Sequence, residues 1–211
     1  MSGALVRRAA ADLLFLTLEK RRTLDQAMAE SPPFGDLDGP DRAFARAIAS
    51  AALRELGRID RALAPLLSRP LQAASPAIRA LLRVGAVQLW RMDVPEHAAV
   101  SETVEAAKAW QDARSGGAFL NAVLRRAAAE RPDLDALPVT AIWPDWLAAA
   151  FEESVGADGA AALAAAQLAE PGIFLTAKTN AAAVAEVISG ELLASGSIRA
   201  PGGPVEALAE D

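Results

Sequence analysis

The sequence predicts a mainly α-helical fold, in which an all-α helical bundle over residues 1–131 is followed by a small, partial α+β subdomain. In the first part, apolar residues recur at every third or fourth position, which is the spacing of a buried helix face. Alanine and other strong helix formers dominate the same stretch, and no alternating strand pattern interrupts it. After Pro132, short strand-like runs bounded by glycine replace this pattern.

Caps, prolines and glycines set the predicted boundaries of the bundle helices. Ser75 followed by proline is typical of an N-cap and a first helical position. Gly57 is predicted to divide a long helix, and Gly85, on an apolar stripe, predicts the close approach of another helix. The predicted helices cover residues 5–21, 24–30, 41–66, 75–89 and 95–113, with a loop at 31–40.

A last bundle helix follows the turn at residues 115–117 and ends near Glu130. Its apolar stripe predicts which side chains point into the bundle. These predicted inward residues are Phe119, Leu120, Val123, Leu124 and Ala127.

The second part divides into a linker over residues 132–142 and the partial subdomain over residues 143–211. The segment Trp143-Pro144-Asp145-Trp146 is expected to anchor the linker on the bundle. Three short strands give only a small sheet, which is typical of the start of an unfinished domain. The tail from Pro201 has no predicted element. Two helices, a strand, a third helix and a hairpin about Gly196 are predicted over residues 145–153, 158–168, 173–178, 182–188 and 191–199.

Composition excludes several kinds of site. The chain has no cysteine, so it has no disulfide framework, thiolate metal site or cysteine nucleophile. The single histidine, His97, argues against a histidine metal cluster or a Ser–His catalytic pair. No apolar run approaches the roughly 20 residues that cross a bilayer, and the run after Arg7 and Arg8 is too short for a signal peptide. We therefore expect a cytoplasmic protein with neither metal nor membrane partner.

Charge is distributed unevenly along the chain. The net charge is −6, which by itself argues against nucleic-acid binding. Residues 1–131 contain 19 Lys and Arg against 15 Asp and Glu, a net charge of +4. Residues 132–211 contain 2 against 12, a net charge of −10. This asymmetry predicts two modules with different partners, and it places any polyanion on the bundle.

Arginines on two helices of the bundle are candidate contacts for a nucleic acid. Arg7 and Arg8 lie in the first turns of helix one, where they would contact phosphates or, alternatively, be solvated on a helix flank. Arg79 and Arg83 share a helix face with Trp90, an arrangement that suits base stacking. Core packing of Trp90 is the favoured interpretation of that cluster.

The polar face of the last bundle helix is another candidate. Asn121 and Arg125 lie one turn apart, and Arg126 follows directly. The glycines before this helix leave its N-terminus open to an anion, while asparagine and arginine suit bases and phosphates. The alternative is a tight interhelical turn for which glycine supplies the geometry.

A further group of arginines is predicted on the face opposite the Phe44 and Ile48 stripe. It would create a strong positive potential or, as the favoured alternative, a solvated outer face offset by Asp41, Glu55 and Asp60. The arginines are Arg42, Arg46, Arg54, Arg58 and Arg61.

Four motifs of the bundle occur in a distinctive order: DRAF at 41–44, IRALLRVGAVQL at 78–89, VPEHAAVSETVE at 94–105 and FLNAVLRR at 119–126. In this order they resemble the NusB-like domain at the N-terminus of the RsmB family, bacterial 5-methylcytosine methyltransferases of 16S ribosomal RNA. The last two motifs favour RsmB over the free-standing antitermination factor NusB. Pieces around Trp146, 175–178, 195–199 and 203–208 resemble the segment that links the RsmB bundle to its methyltransferase domain.

The resemblance implies an RNA-binding module without its catalytic domain. In that family S-adenosylmethionine is the cofactor, and a cysteine thiolate adds to cytosine C6. This chain has no cysteine and no cofactor loop, so we expect no catalysis and no cofactor from it alone. The resemblance further implies that small-subunit ribosomal RNA is bound first by Arg7 and Arg8, and second by Asn121 and Arg125.

Two other functions stay open at this point. One is a NusB-type transcription antitermination factor, which acts through RNA and a ribosomal protein or another transcription-complex partner. The acidic C-terminal extension argues against it, because free-standing NusB proteins end near the bundle. The other is a protein-interaction bundle that binds no RNA. The chain itself is expected to be a truncated methyltransferase, an excised fragment or a natural short protein.

Overall fold

The computed structural model describes residues 3–92, 94–169 and 172–201, and within these the chain forms ten α-helices and one three-stranded sheet. The predicted mainly α-helical fold with a small sheet is confirmed. The motif at residues 203–208 lies outside the described residues. Among the described helices, none has the length and apolar character that crossing a membrane requires.

Eight helices build the bundle, and their bounds differ from the predicted ones mainly at the ends. The predicted loop at 31–40 contains a short helix, because Ser31 Oγ accepts a hydrogen bond from the Phe34 amide and Pro32 occupies the first helical position. The helices are α1 Gly3–Glu19, α2 Leu24–Glu30, α3 Pro32–Gly35, α4 Gly39–Arg54, α5 Leu56–Leu63, α6 Pro76–Trp90, α7 Glu96–Lys108 and α8 Gly117–Glu130.

Helix α6 is the centre of the bundle and contacts α1, α4, α5, α7 and α8. Its Leu81 and Leu82 are fully buried, as the apolar stripe predicts, and Val87, which is not part of that stripe, is fully buried as well. A Cβ added at Gly85 would lie 2.5 Å from Leu124 Cδ2 of α8. The predicted close approach of another helix at Gly85 is therefore confirmed, and α8 is that helix.

The long helix predicted from residue 41 breaks at Glu55 and not at Gly57. Glu55 has φ −101° and ψ 12°, which ends α4, and α5 begins at Leu56. Gly57 lies inside α5, where an added Cβ would be 2.2 Å from the carbonyl oxygen of Ala141. Its role is to admit a neighbouring backbone and not to end a helix.

Residues 134–145, which we call the strap, are held on the bundle although the sequence predicts most of them as a linker. The structure divides the chain into compact units at Leu168, whereas the sequence places the boundary at residues 132–142. Leu134 is 2% exposed and belongs to the bundle core. The strap forms two 3-10 turns, Leu134–Ala136 and Val139–Ile142.

Helix α9, Asp145–Leu168, follows the strap and is interrupted at Gly156, whose φ is 77°. This interruption corresponds to the two helices predicted over 145–153 and 158–168. Trp143 packs against Phe151 of α9, with ring centroids 4.6 Å apart, in a cluster separate from the bundle core. Trp146 is 71% exposed, so it does not anchor the strap as predicted.

The second unit, residues 169–211 in the division of the chain, contains one helix and three strands. The elements are β1 Ile173–Leu175, α10 Ala181–Val187, β2 Glu191–Leu192 and β3 Ile198–Ala200. The strands form a small antiparallel sheet in the order β1-β3-β2, in which β2 and β3 are the predicted hairpin about Gly196, whose φ is 83°. Asn180 caps α10 by accepting hydrogen bonds from two backbone amides.

Candidate nucleic-acid interface

The two arginines of α1 are engaged inside the bundle. Arg7 is 6% exposed, its Nε donates to Gln88 Oε1 at 2.9 Å, and its guanidinium lies 5.0 Å from the Phe44 ring centre. Burial lowers the pKa of Arg7, while the nearby carboxylates Glu102 and Asp41 oppose that shift. Arg7 therefore connects α1 to α6 and does not present its charge to a phosphate.

Arg8 lies against an aromatic ring at the half-buried flank of α1. Its guanidinium is 3.7 Å from the Trp110 ring centre and its Nη1 is 3.0 Å from Asp12 Oδ1. Asp12 also accepts a hydrogen bond from Ser31 Oγ at 2.7 Å. The positions of Arg7 and Arg8 thus give no support to their predicted phosphate contacts, since each guanidinium already has local partners.

Arg79 and Arg83 form ion pairs between helices. Arg83 donates from Nε and Nη2 to the two carboxylate oxygens of Asp60, both at 2.8 Å. Arg79 Nη2 donates to Glu19 at 2.6 Å, and Nη1 donates to the Ala74 carbonyl at 2.9 Å. These contacts fix α6 to α5 and α1, and they occupy the groups predicted to contact RNA.

Trp90, the third member of that predicted cluster, is partly buried and packs against the core. Its Nε1 donates to the Ala127 carbonyl of α8 at 3.1 Å. The packing interpretation of Trp90 agrees with this position, because the indole joins two helices and its polar atom is satisfied internally.

Replacing Arg83 with glutamine is expected to destabilise the fold by about 2 kcal/mol, because the Asp60 carboxylate loses a two-point, largely buried partner. Urea unfolding of Arg83→Gln, Asp60→Asn and the double variant measures this coupling. RNA affinity is expected to stay within about twofold of the wild type. Weaker RNA binding by Arg83→Gln at unchanged stability would instead indicate that Arg83 contacts RNA.

The arginines of α5 hold the strap. Arg61 donates to the carbonyls of Ala141 and Trp143 and, at 2.5 Å, to Asp145. Arg58, 5% exposed, donates to Asp135 at 3.3 Å and to the Leu137 carbonyl at 3.4 Å. Arg58 is buried against the acidic strap, and Arg61 binds the strap while about a third of its side chain remains exposed, so neither is a freely solvated arginine on an outer face.

Asp135 of the strap accepts hydrogen bonds from Arg58 of α5 and from Arg91, which directly follows α6. Arg91 donates to both of its oxygens, at 2.9 and 2.7 Å. This hydrogen bonding and the charges of Arg91 and Arg58 lower the pKa of Asp135 below its ordinary value. A depressed pKa means that the stabilisation is present above the ordinary pKa and is lost as the pH falls through the folded-state value.

The exposed side of α8 brings Asn121 and Arg125 together. Arg125 is exposed, and its Nε donates to Asn121 Oδ1 at 3.2 Å. Besides this contact, the side-chain amide of Asn121 and the guanidinium of Arg125 offer further hydrogen-bond donors of the kinds that suit phosphates and base edges. Arg125 is therefore a predicted site residue that stays at the surface, with the partly exposed Asn121 beside it.

A groove runs between α7 and α8 beside this pair. One part has a volume of about 680 Å³ and the other about 450 Å³, and they share Ser101 and Asn121. We call the two parts together the α7–α8 groove. The first part is lined by Glu96, His97, Val100, Ser101, Asn121, Arg125, Ala128 and Ala129. The second is lined by Ser101, Val104, Glu105, Lys108, Arg114, Gly117, Ala118 and Asn121.

Lys108 and Arg114 belong to this groove and were not singled out in the sequence. Arg114 Nε donates to the Lys108 carbonyl at 3.1 Å, which brings the end of α7 back beside the start of α8. The sequence predicts one continuous helix to residue 113, which would keep these two side chains away from α8. In the structure α7 ends at Lys108, and the chain then turns at the buried Trp110.

The two glycines at the start of α8 have different roles. An added Cβ at Gly116 would lie 2.5 Å from Ile78 Cδ1, so Gly116 permits tight packing of this turn. Gly117 has nothing within 4 Å of an added Cβ, and Gly116 at the N-cap gives no side-chain hydrogen bond to the first amides of α8. The tight turn is therefore present at Gly116, and the anion site at the helix N-terminus stays a prediction.

Arg126 extends the basic surface to the other side of α8. It is exposed, donates to the Leu66 carbonyl at 3.1 Å and pairs with Glu130 at 3.3 Å. His97 lies in the α7–α8 groove at the start of α7. Among the described residues, no cluster of His, Cys, Asp or Glu could hold a metal ion.

Solved structures of NusB share the bundle fold. NusB of T. maritima matches with a TM-score of 0.54 and 24% identity, over 65% of this chain and 99% of that chain. A complex of antitermination factors NusB and NusE with dsRNA matches with a TM-score of 0.53 and 20% identity, over 60% and 96%. The structure of PH0851 matches with a TM-score of 0.64 and 15% identity, over 94% and 49%. At these identities the likeness shows the fold alone.

Sequence relatives cover the same region. Ribosomal RNA small subunit methyltransferase B of Xanthomonas campestris pv. campestris is 40% identical over 146 residues, which are 69% of this chain and 32% of that protein. Transcription antitermination protein NusB of Shewanella amazonensis is 38% identical over 90 residues, 42% of this chain and 66% of that protein. The chain thus spans about a third of the methyltransferase. The NusB family model matches residues 5–129, more than half of the chain, and the chain belongs to the NusB family.

Proposed function

We propose that this chain is a cytoplasmic RNA-binding module that corresponds to the N-terminal region of RsmB and holds small-subunit ribosomal RNA in the α7–α8 groove. The observation that carries the proposal is the groove itself, whose two adjoining parts share Ser101 and Asn121 and are lined by Arg125 in one part and by Lys108 and Arg114 in the other. Three cations along one groove match a chain of phosphates better than a single anion.

The contrast with the other arginines supports this assignment. The arginines of α5 and α6, and Arg91 directly after α6, bind carboxylates and carbonyls within the protein, so their charge is already paired locally. Lys108, Arg114 and Arg125 are exposed at the groove. Part of the positive charge of residues 1–131 therefore lies at the surface of this groove, although the whole chain is acidic.

Acidic side chains at the groove do not remove its attraction for phosphate. Lys108 pairs with Glu105 at 2.5 Å, and Glu96 pairs with Arg131. All four side chains are half exposed or more, and such surface pairs contribute about 0–1 kcal/mol. A phosphate that accepts two hydrogen bonds from arginine can replace these partners.

The comparisons favour RsmB as the parent type. The match to the methyltransferase extends over 146 residues at 40% identity, which is longer than the NusB family region at residues 5–129. We assign no catalytic step to this chain, which has no cysteine.

Salt-dependent binding tests the assignment. A fluorescently labelled fragment of small-subunit ribosomal RNA is titrated with the full chain between 0.05 and 0.5 M KCl. Arg125→Gln is expected to weaken binding about fourfold at 0.15 M salt and to reduce the salt slope by about 0.7, the contribution of one single-strand phosphate contact. Arg46→Gln, an equal charge change at an exposed position of α4, is the matched control and should change neither the affinity nor the salt slope. Equal effects of the two variants would contradict the proposed groove.

Antitermination is the second candidate function. The similarity to NusB of Shewanella amazonensis, over 66% of that protein, favours it. An antitermination leader RNA titrated in parallel separates the two functions. We expect the ribosomal fragment to bind more tightly, whereas tighter binding of the leader RNA would favour the NusB-type function.

A further inference from the structure

A second groove flanks the first turn of α8 on the side away from Asn121. It has a volume of about 490 Å³ and lies between the chain at residues 67–75 and the start of α8. Asn121 and Phe119 are separated by about 160° around the helix, so the two grooves lie on opposite flanks of α8. We call this second depression the Phe119 groove.

Phe119 gives this groove its character. The apolar stripe predicts an inward side chain, but Phe119 is 41% exposed, while Leu120 and Leu124 fill the core. The other apolar residues of the lining are Leu67, Leu71 and Ile78. A partly exposed ring beside an aliphatic floor is a surface on which a flat apolar group can stack.

Positive charge lies in and beside the same groove. Arg69 is exposed and contributes to the lining. Arg126 donates to the Leu66 carbonyl, next to Leu67 of the lining. A ligand that is flat and apolar in one part and anionic in the adjacent part complements this arrangement, and an unpaired nucleotide has both parts.

We propose that the Phe119 groove binds an unpaired nucleotide of the RNA, with its base stacked on Phe119 and its phosphate on Arg69. This inference rests on the proposed function and extends it, because the RNA strand then crosses the start of α8 from one groove to the other. A base that is paired in a duplex cannot enter the groove. The module therefore prefers single-stranded RNA, and stacking alone gives little preference among the four bases.

Two RNA probes test this proposal: a labelled 12-nucleotide single strand and the corresponding 12-base-pair duplex. Phe119→Leu keeps an apolar side chain and removes the ring. It is expected to weaken single-strand binding about tenfold without changing the salt slope or duplex binding. Phe119→Trp should restore binding to within about twofold. Arg69→Gln, at an exposed position, should weaken single-strand binding about fourfold and reduce the slope by about 0.7.

Different outcomes separate this proposal from the function on which it rests. Suppose that Phe119→Leu and Arg69→Gln bind the single strand as tightly as the wild type, whereas Arg125→Gln binds it more weakly. This result would overturn the nucleotide site alone, and a protein partner would then be the alternative occupant of the Phe119 groove. Equal losses for single strand and duplex in Phe119→Leu would also overturn it. Failure of the wild type to bind either probe would remove the proposed function as well.

Discussion

Replacing Lys108, Arg114 and Arg125 together with glutamine is expected to weaken binding of single-stranded RNA about 50-fold at 0.15 M salt. Each of the three side chains lines the α7–α8 groove and is exposed. Each phosphate contact to a single strand contributes about 0.7 to the salt slope, because it releases counterions, so the three contacts together contribute about 2.1. Fluorescence anisotropy from 0.05 to 0.5 M KCl measures both the affinity and the slope.

The salt dependence distinguishes lost phosphate contacts from a damaged fold. The difference between triple variant and wild type should shrink steadily toward high salt, because counterion release then contributes little. A control variant combines Arg46→Gln with two exposed arginines outside both grooves, Arg21→Gln and Arg22→Gln. An equal loss in this control would mean that net charge, and not the groove, sets the affinity.

Gly57→Ala is expected to destabilise the chain by about 2–3 kcal/mol and to lower Tm by roughly 5–10 °C. The added Cβ would lie 2.2 Å from the Ala141 carbonyl oxygen and 2.6 Å from that of Ile142. Both contacts are to backbone, so no side-chain rotation relieves them. The strap must move, and the hydrogen bonds from Arg61 to the strap carbonyls are lost with it. Thermal unfolding followed by circular dichroism measures the change.

Gly117→Ala is the matched control for this substitution. It is the same chemical change in another helix, at a position with nothing within 4 Å of the new Cβ. Alanine favours helix over glycine by up to about 1 kcal/mol, so Gly117→Ala should leave stability unchanged or raise it slightly. Equal Tm values for the two variants would mean that the strap does not pack on α5 as described.

Local patterns were sufficient to predict much of the bundle. The apolar stripe identifies Ile78, Leu81 and Leu82 among the buried side chains of α6, and Gly85 indicates the close approach of α8, where Leu124 lies. These features depend on residue spacing within one helix or on the size of one residue, which a sequence displays directly. The pairing of Asn121 with Arg125 was predictable for the same reason, because residues four apart are neighbours on a helix.

The roles of most arginines were not predictable, because their partners are distant in sequence. Gln88 binds Arg7 from 81 residues away, and Asp145 binds Arg61 from 84 residues away. A charge pattern shows where arginines lie on a helix but not which carboxylates or carbonyls fold against them. The same limit applies to Phe119, whose stripe position predicts burial although the chain at 67–75 leaves a groove beside it.

Amide hydrogen exchange of the full chain, with and without the single-stranded ribosomal RNA fragment, shows which helices the RNA covers. We expect RNA to slow exchange at residues 96–108 and 114–126, which form the walls of the α7–α8 groove, while exchange in α4 and the strap remains unchanged. Slower exchange confined to α4 or to residues 134–145, at an RNA concentration that saturates the protein, would contradict binding in the α7–α8 groove.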